Sequence, residues 1–65
     1  MKIIVNGEPC ESTAPTLAQL LAQLGKAEAK VATSVNEAFI PQTLRAQTPL
    51  NDGDRVEIVA PRQGG

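Results

Sequence analysis

Apolar and polar residues alternate, then recur at helical spacing, then alternate again along this chain of 65 residues. The opening run Lys2-Ile3-Ile4-Val5 is rich in β-branched side chains and meets Asn6-Gly7 at once. Both of those residues accept positive φ, so the pair predicts a tight hairpin. Residues 8–12 then fold back antiparallel as a second strand, and Pro9, lacking an N–H, sends that strand to a sheet edge. Alternation places Met1, Ile3 and Val5 on one face and Lys2, Ile4 and Asn6 on the other. Ile4 is the odd residue, an apolar side chain on the outer face.

From Thr16 the period changes. Leu17, Leu20, Leu21 and Leu24 stand at i, i+3, i+4 and i+7, a single apolar stripe. Thr16 and Gln19 form a Thr-x-x-Gln capping box at its start, and Gly25 stands where a left-handed C′ residue belongs. That stripe needs a sheet face to cover.

Residues 26–30 read as a polar connection. Residues 31–35 predict a third strand and 37–40 a short fourth, folded about Asn36-Glu37 and stopped by Pro41. Residues 42–50 have no clean period, and Leu44 and Leu50 are expected to tuck beneath an irregular crossing. Asn51-Asp52-Gly53-Asp54 is a turn by composition. As a calcium loop it has too few oxygen ligands at fixed offsets and no distal Glu. Residues 55–60 form the last strand, with Val56 and Ile58 on one face and Arg55, Glu57 and Val59 on the other. Pro61 ends it.

Hairpin, helix and two or three further strands predict an α+β domain over residues 1–60. One main helix packs across a mixed four- to five-stranded sheet, with residues 61–65 as a flexible, extended C-terminal tail. The first and last strands are expected side by side in parallel, joined through the helix as crossover. The uncovered sheet face then carries Ile4 and Val59 as expected neighbours, an apolar docking surface close to the origin of the tail.

Composition narrows the chemistry. Six basic residues against seven acidic ones give a net charge of -1, and Phe39 is the sole aromatic. Neither a basic patch nor a stacking ladder is available for nucleic acid. With no histidine and a single cysteine, Cys10, there is no intrachain disulfide, no Cys/His zinc site and no hydrolase triad. The lone thiol fits a reducing compartment and a half-buried, unreactive position. The first apolar run is too short for a signal sequence or a membrane span, so the chain reads as soluble and cytoplasmic.

The residues that carry a wider likeness are Met1 to Glu8, the helix from Thr16-Leu17 to Leu24-Gly25, Val35-Asn36-Glu37 with Ile40-Pro41, Leu50, Asp52 to Val59, and Gly64-Gly65. In this order and spacing the chain resembles the ubiquitin-like β-grasp family, and within it the bacterial sulfur carriers of the ThiS type. The likeness spans the whole length. It departs in Gln42, where a basic residue commonly follows the proline, and in Arg62 and Gln63, which replace more apolar residues before the glycines.

The resemblance implies a carrier for the thiazole ring of thiamin, a substrate and not an enzyme. A ThiF-type activating enzyme would adenylate the Gly65 carboxylate with its own ATP and magnesium, the carrier binding no cofactor. Sulfur relayed from a cysteine desulfurase would replace AMP to give a thiocarboxylate, and a ThiG-type thiazole synthase would receive it. Residues 61–65, extended at ~3.3–3.6 Å each, span about 17 Å, enough to thread a narrow channel. Gly64 removes a Cβ from that thread, with Gln63 and Arg62 behind it. Alternatives within reach of the same residues are the small subunit of molybdopterin synthase (MoaD-like), a ubiquitin-like protein modifier, and a plain β-grasp binding module.

Overall fold

A computed structural model describes residues 1–60. It contains five strands, one α-helix and a 3₁₀ helix: Lys2–Val5 (β1), Glu8–Glu11 (β2), Leu17–Gln23 (α1), Ala32–Val35 (β3), Ala38–Ile40 (β4), the 3₁₀ helix Gln42–Gln47, and Arg55–Val59 (β5). The strands make one mixed sheet in the order β2-β1-β5-β3-β4. Pro9 lies on the edge strand, as its missing donor requires. β1 and β5 are parallel neighbours, and the remaining pairs are antiparallel.

Turn chemistry explains both hairpins. Asn6 and Gly7 take φ of 51° and 83°, and Asn36 and Glu37 take 51° and 71°. Successive positive φ values are what a two-residue hairpin of right-handed twist demands. Glu37 therefore occupies the conformation that Gly7 holds in the first hairpin, stabilised by the strands that flank it.

The helix begins and ends as its residues dictate. Thr16 Oγ1 accepts the Gln19 N–H at 3.3 Å, while no reciprocal bond from the Gln19 side chain completes the box. At the far end Gly25 (φ +76°) lets its own N–H reach the Ala22 carbonyl at 3.1 Å and the Lys26 N–H reach Leu21 at 2.7 Å. This is the Schellman pair, two otherwise orphaned carbonyls satisfied by one left-handed residue. Leu17, Leu20 and Leu21 are fully or almost fully buried against Ile3, Val56 and Ile58, with Ala14 and Leu50 closing the core. Leu24 packs at its margin.

The crossing between β4 and β5 differs from its expected form. Residues 42–47 coil as a 3₁₀ helix. Leu50 is buried as expected, but Leu44 is 46% exposed. The residue that goes inward is Arg45, only 7% exposed. Its Nε donates to Thr33 Oγ1 at 3.1 Å and its Nη2 to the Val31 carbonyl at 2.6 Å. Thr33 in turn donates to the Ile40 carbonyl at 2.9 Å. A guanidinium reaches across from a surface coil to tie down β3, which a leucine in a 3₁₀ turn cannot do. Replacing Arg45 by Leu is expected to cost about 1–3 kcal/mol, because it takes the donor away from the buried Thr33 hydroxyl and the half-buried Val31 carbonyl. At ~4–8 °C per kcal/mol for a domain of this size, calorimetry should register a fall on the order of 10 °C.

Candidate functional site

The site is built around β5, the strand that leads towards residues 61–65. β5 lies in the middle of the sheet, with β1 on one side and β3 on the other. Val56 and Ile58 are buried in the core, while Arg55, Glu57 and Val59 point to the uncovered face. The register with β3 sets Glu57 opposite Ser34 and Val59 opposite Ala32, and Ser34 is in turn opposite Phe39 of β4. These outward positions form a shallow hollow lined by Ala32, Ser34, Phe39, Glu57 and Val59. Phe39 is 68% exposed and Val59 60%. Glu57 is the charged group of the lining, and its Oε1 accepts the Ser34 hydroxyl at 3.2 Å.

The expected pairing of Ile4 with Val59 is not what the sheet makes. Parallel pairing sets Ile4 beside Arg55 and Val5 beside Val56. Val59 lies four residues further along β5, about 13 Å at ~3.3 Å per residue. Ile4 is half-buried between Pro9 of β2 and Arg55, whereas Val59 joins Ala32 and Phe39. The apolar patch near the end of β5 is thus Val59 with Phe39. A signal for Phe39 was present in the alternation: Ile40 pairs with the buried Thr33, so its predecessor must face outward.

The physical reason for the β1–β5 register lies in the turn before β5. Asp52 Oδ1 accepts the Lys2 N–H at 2.7 Å, the Gly53 N–H donates to the Lys2 carbonyl at 2.7 Å, and the Ile4 N–H donates to Asp54 at 2.9 Å. Asp54 also accepts the Asn51 N–H at 2.8 Å and the Asn36 amide at 3.0 Å. The acids of residues 51–54 are thus engaged with backbone and amide donors. Among the described residues no three His, Cys, Asp or Glu side chains gather to hold a metal. Cys10 is half-buried. No helix of the described residues is long and apolar enough to cross a membrane.

Two turn asparagines also hold β5. Asn6 Oδ1 accepts the Ile58 N–H at 2.8 Å and its Nδ2 donates to the Ile58 carbonyl at 3.1 Å. Asn36 Oδ1 accepts the Arg55 N–H at 3.0 Å. Arg62, Gln63, Gly64 and Gly65, the proposed thread and its reactive end, lie outside the described residues.

A five-stranded mixed sheet with one helix across it, β1 and β5 parallel at its centre, is the architecture of a ubiquitin-like β-grasp domain. The comparisons with known proteins agree with that class and narrow it. Residues 3–65 match the model of the ThiS family. The crystal structure of the thiamine biosynthesis protein (ThiS) from Geobacter metallireducens superposes with a TM-score of 0.84 at 30% identity, covering 100% of both chains. The sulfur carrier protein ThiS of Thermus thermophilus is 39% identical over 94% of this chain and 95% of its own length. A thiazole synthase of Paramagnetospirillum magneticum is 42% identical over the full chain, which spans only 20% of that relative. This chain belongs to the ThiS family, as its hairpin, capped helix and final strand had suggested.

Proposed function

We propose that this chain is a sulfur carrier for the thiazole ring of thiamin, working in the cytoplasm as the substrate of other enzymes. The observation that carries this reading is the match to the ThiS family over residues 3–65 together with the whole-chain likeness to a ThiS structure. The reactive group is the carboxylate of Gly65. A carboxylate is a poor electrophile, and a good leaving group divides one hard substitution into two easier ones. A ThiF-type enzyme with ATP and magnesium attaches AMP and releases pyrophosphate. A persulfide of the cysteine desulfurase relay then displaces AMP to give an acyl disulfide, and a second thiol cleaves its S–S bond reductively to free the thiocarboxylate. The charge stabilisation that phosphoryl chemistry requires belongs to that enzyme. The carrier's own part is to present a thin backbone and a surface by which to be held.

That surface is the hollow of Val59, Ala32 and Phe39, with Val59 and Phe39 as its two large exposed apolar side chains near the end of β5. An aromatic anchor near the end of β5 suits a partner that grips the sheet while it threads the end. A ThiG-type thiazole synthase is the proposed acceptor, supported by the thiazole synthase relative that contains a segment similar to this whole chain.

Intact mass of the protein from its own host tests the reading. The expected form carries one sulfur in place of one oxygen at Gly65, formed only when the sulfur relay is present. Conjugates with other proteins would identify a modifier instead, and an unaltered carboxylate under every sulfur supply would leave a binding module. Co-purification with molybdopterin synthase in place of thiazole synthase would reassign the acceptor.

A further inference from the structure

We propose that Asn6 is a positioning residue for the tail: its side chain clamps the tail-proximal end of β5, so that the activating partner receives residues 61–65 from a fixed base. The inference rests on the carrier function proposed above. The backbone ladder between β1 and β5 pairs Ile4 with Arg55 and Val5 with Val56 and goes no further. The Asn6 N–H still donates to the Val56 carbonyl at 2.9 Å, after which the chain turns away into the hairpin. From that turn the carboxamide reaches two residues further along β5. It accepts the Ile58 N–H at 2.8 Å and donates to the Ile58 carbonyl at 3.1 Å. One side chain thus supplies both hydrogen bonds that a strand neighbour would have made. With Ala32 pairing Val59 on the other edge, the end of β5 is held from both sides.

Only an amide of this length does both tasks. Aspartate has no donor for the Ile58 carbonyl and would place an oxygen against it, and alanine leaves both groups unpaired.

Asn36 distinguishes positioning from simple support. It occupies the same turn position at the same φ of 51° and also bonds to β5, but through Arg55 at the opposite end of the strand. If turn asparagines serve only stability, losing either one should affect activation alike.

The test compares wild type, Asn6→Ala, Asn6→Asp and Asn36→Ala, each below its melting temperature. The readout is ATP–pyrophosphate exchange with a ThiF-type adenylating enzyme, with amide exchange at Ile58 followed on the carrier alone. Displacing a reacting group by about an ångström costs up to ~10²-fold, so both Asn6 variants are expected to lose about tenfold in kcat with KM little changed. Their Ile58 amide should exchange faster, while Asn36→Ala keeps a near wild-type kcat. Equal losses for Asn6→Ala and Asn36→Ala would reduce the asparagines to stabilisers. Wild-type kcat in the Asn6 variants, or an Ile58 amide still protected in them, would overturn the clamp alone. A wild-type protein that is not activated would overturn the carrier function, and the positioning role with it.

Discussion

Replacing Leu20 by Asp is expected to abolish the folded state at room temperature. Leu20 is fully buried at the middle of α1's apolar stripe, in the cluster formed with Ile3, Val56 and Ile58. Removing a core leucine costs about 2–5 kcal/mol through lost transfer energy and the cavity left behind. A carboxylate in that space adds an unpaired charge, which the core has no donor to meet. Against this, a domain of this size has roughly 3–10 kcal/mol of total stability, from ~0.05–0.15 kcal/mol per residue. The aspartate variant should therefore show no cooperative thermal transition by circular dichroism and collapsed amide dispersion by NMR. Leu20→Ala, which creates the cavity without the charge, should still melt cooperatively at a lower temperature. A wild-type melting curve for Leu20→Asp would mean that the helix does not pack through this stripe.

What could be read from the residues alone follows how local each determinant is. The first hairpin was legible because Asn6-Gly7 encodes its turn in two residues. The helix was legible because capping, stripe and Gly25 all fall within ten positions. Both features need only neighbours in sequence. The apolar patch was misplaced because the β1–β5 register is set at long range: the backbone and acids of residues 52–54 grip Lys2 and Ile4 across the sheet. Strand alternation shows which face Val59 occupies and leaves open which residue stands beside it. Arg45 was hidden for a different reason. An isolated arginine in an aperiodic stretch reads as solvated, and its burial depends on neutral acceptors from Thr33 of β3 and from Val31 just before it. The same holds for Asn6, whose turn role was evident while its grip on Ile58 needed the fold.

Replacing Gly64 by Val is expected to block activation of the carrier while leaving its fold untouched. In the proposed reaction the Gly65 carboxylate must reach the α-phosphorus of ATP inside the partner, with the preceding backbone threaded beside the nucleotide. Glycine at 64 contributes no Cβ to that passage and accepts backbone angles closed to other residues. Valine adds a branched Cβ one residue before the reacting carboxylate, which both widens the thread and restricts its torsions. Misplacement on the order of an ångström costs ~10²-fold, so kcat/KM in the adenylation assay should fall by at least about that factor. The melting temperature should stay with wild type, since among the described residues the last core side chain is Ile58, several positions before residue 64. Phe39→Ala makes the complementary case. It removes a 68% exposed side chain from the gripping surface. Its expected effect is a KM about tenfold higher, equivalent to ~1.4 kcal/mol of binding, with kcat retained. The two variants thus separate holding the carrier from admitting its end. If Gly64→Val were adenylated at the wild-type rate, the passage would be wide enough for a side chain, and the glycine would have another purpose.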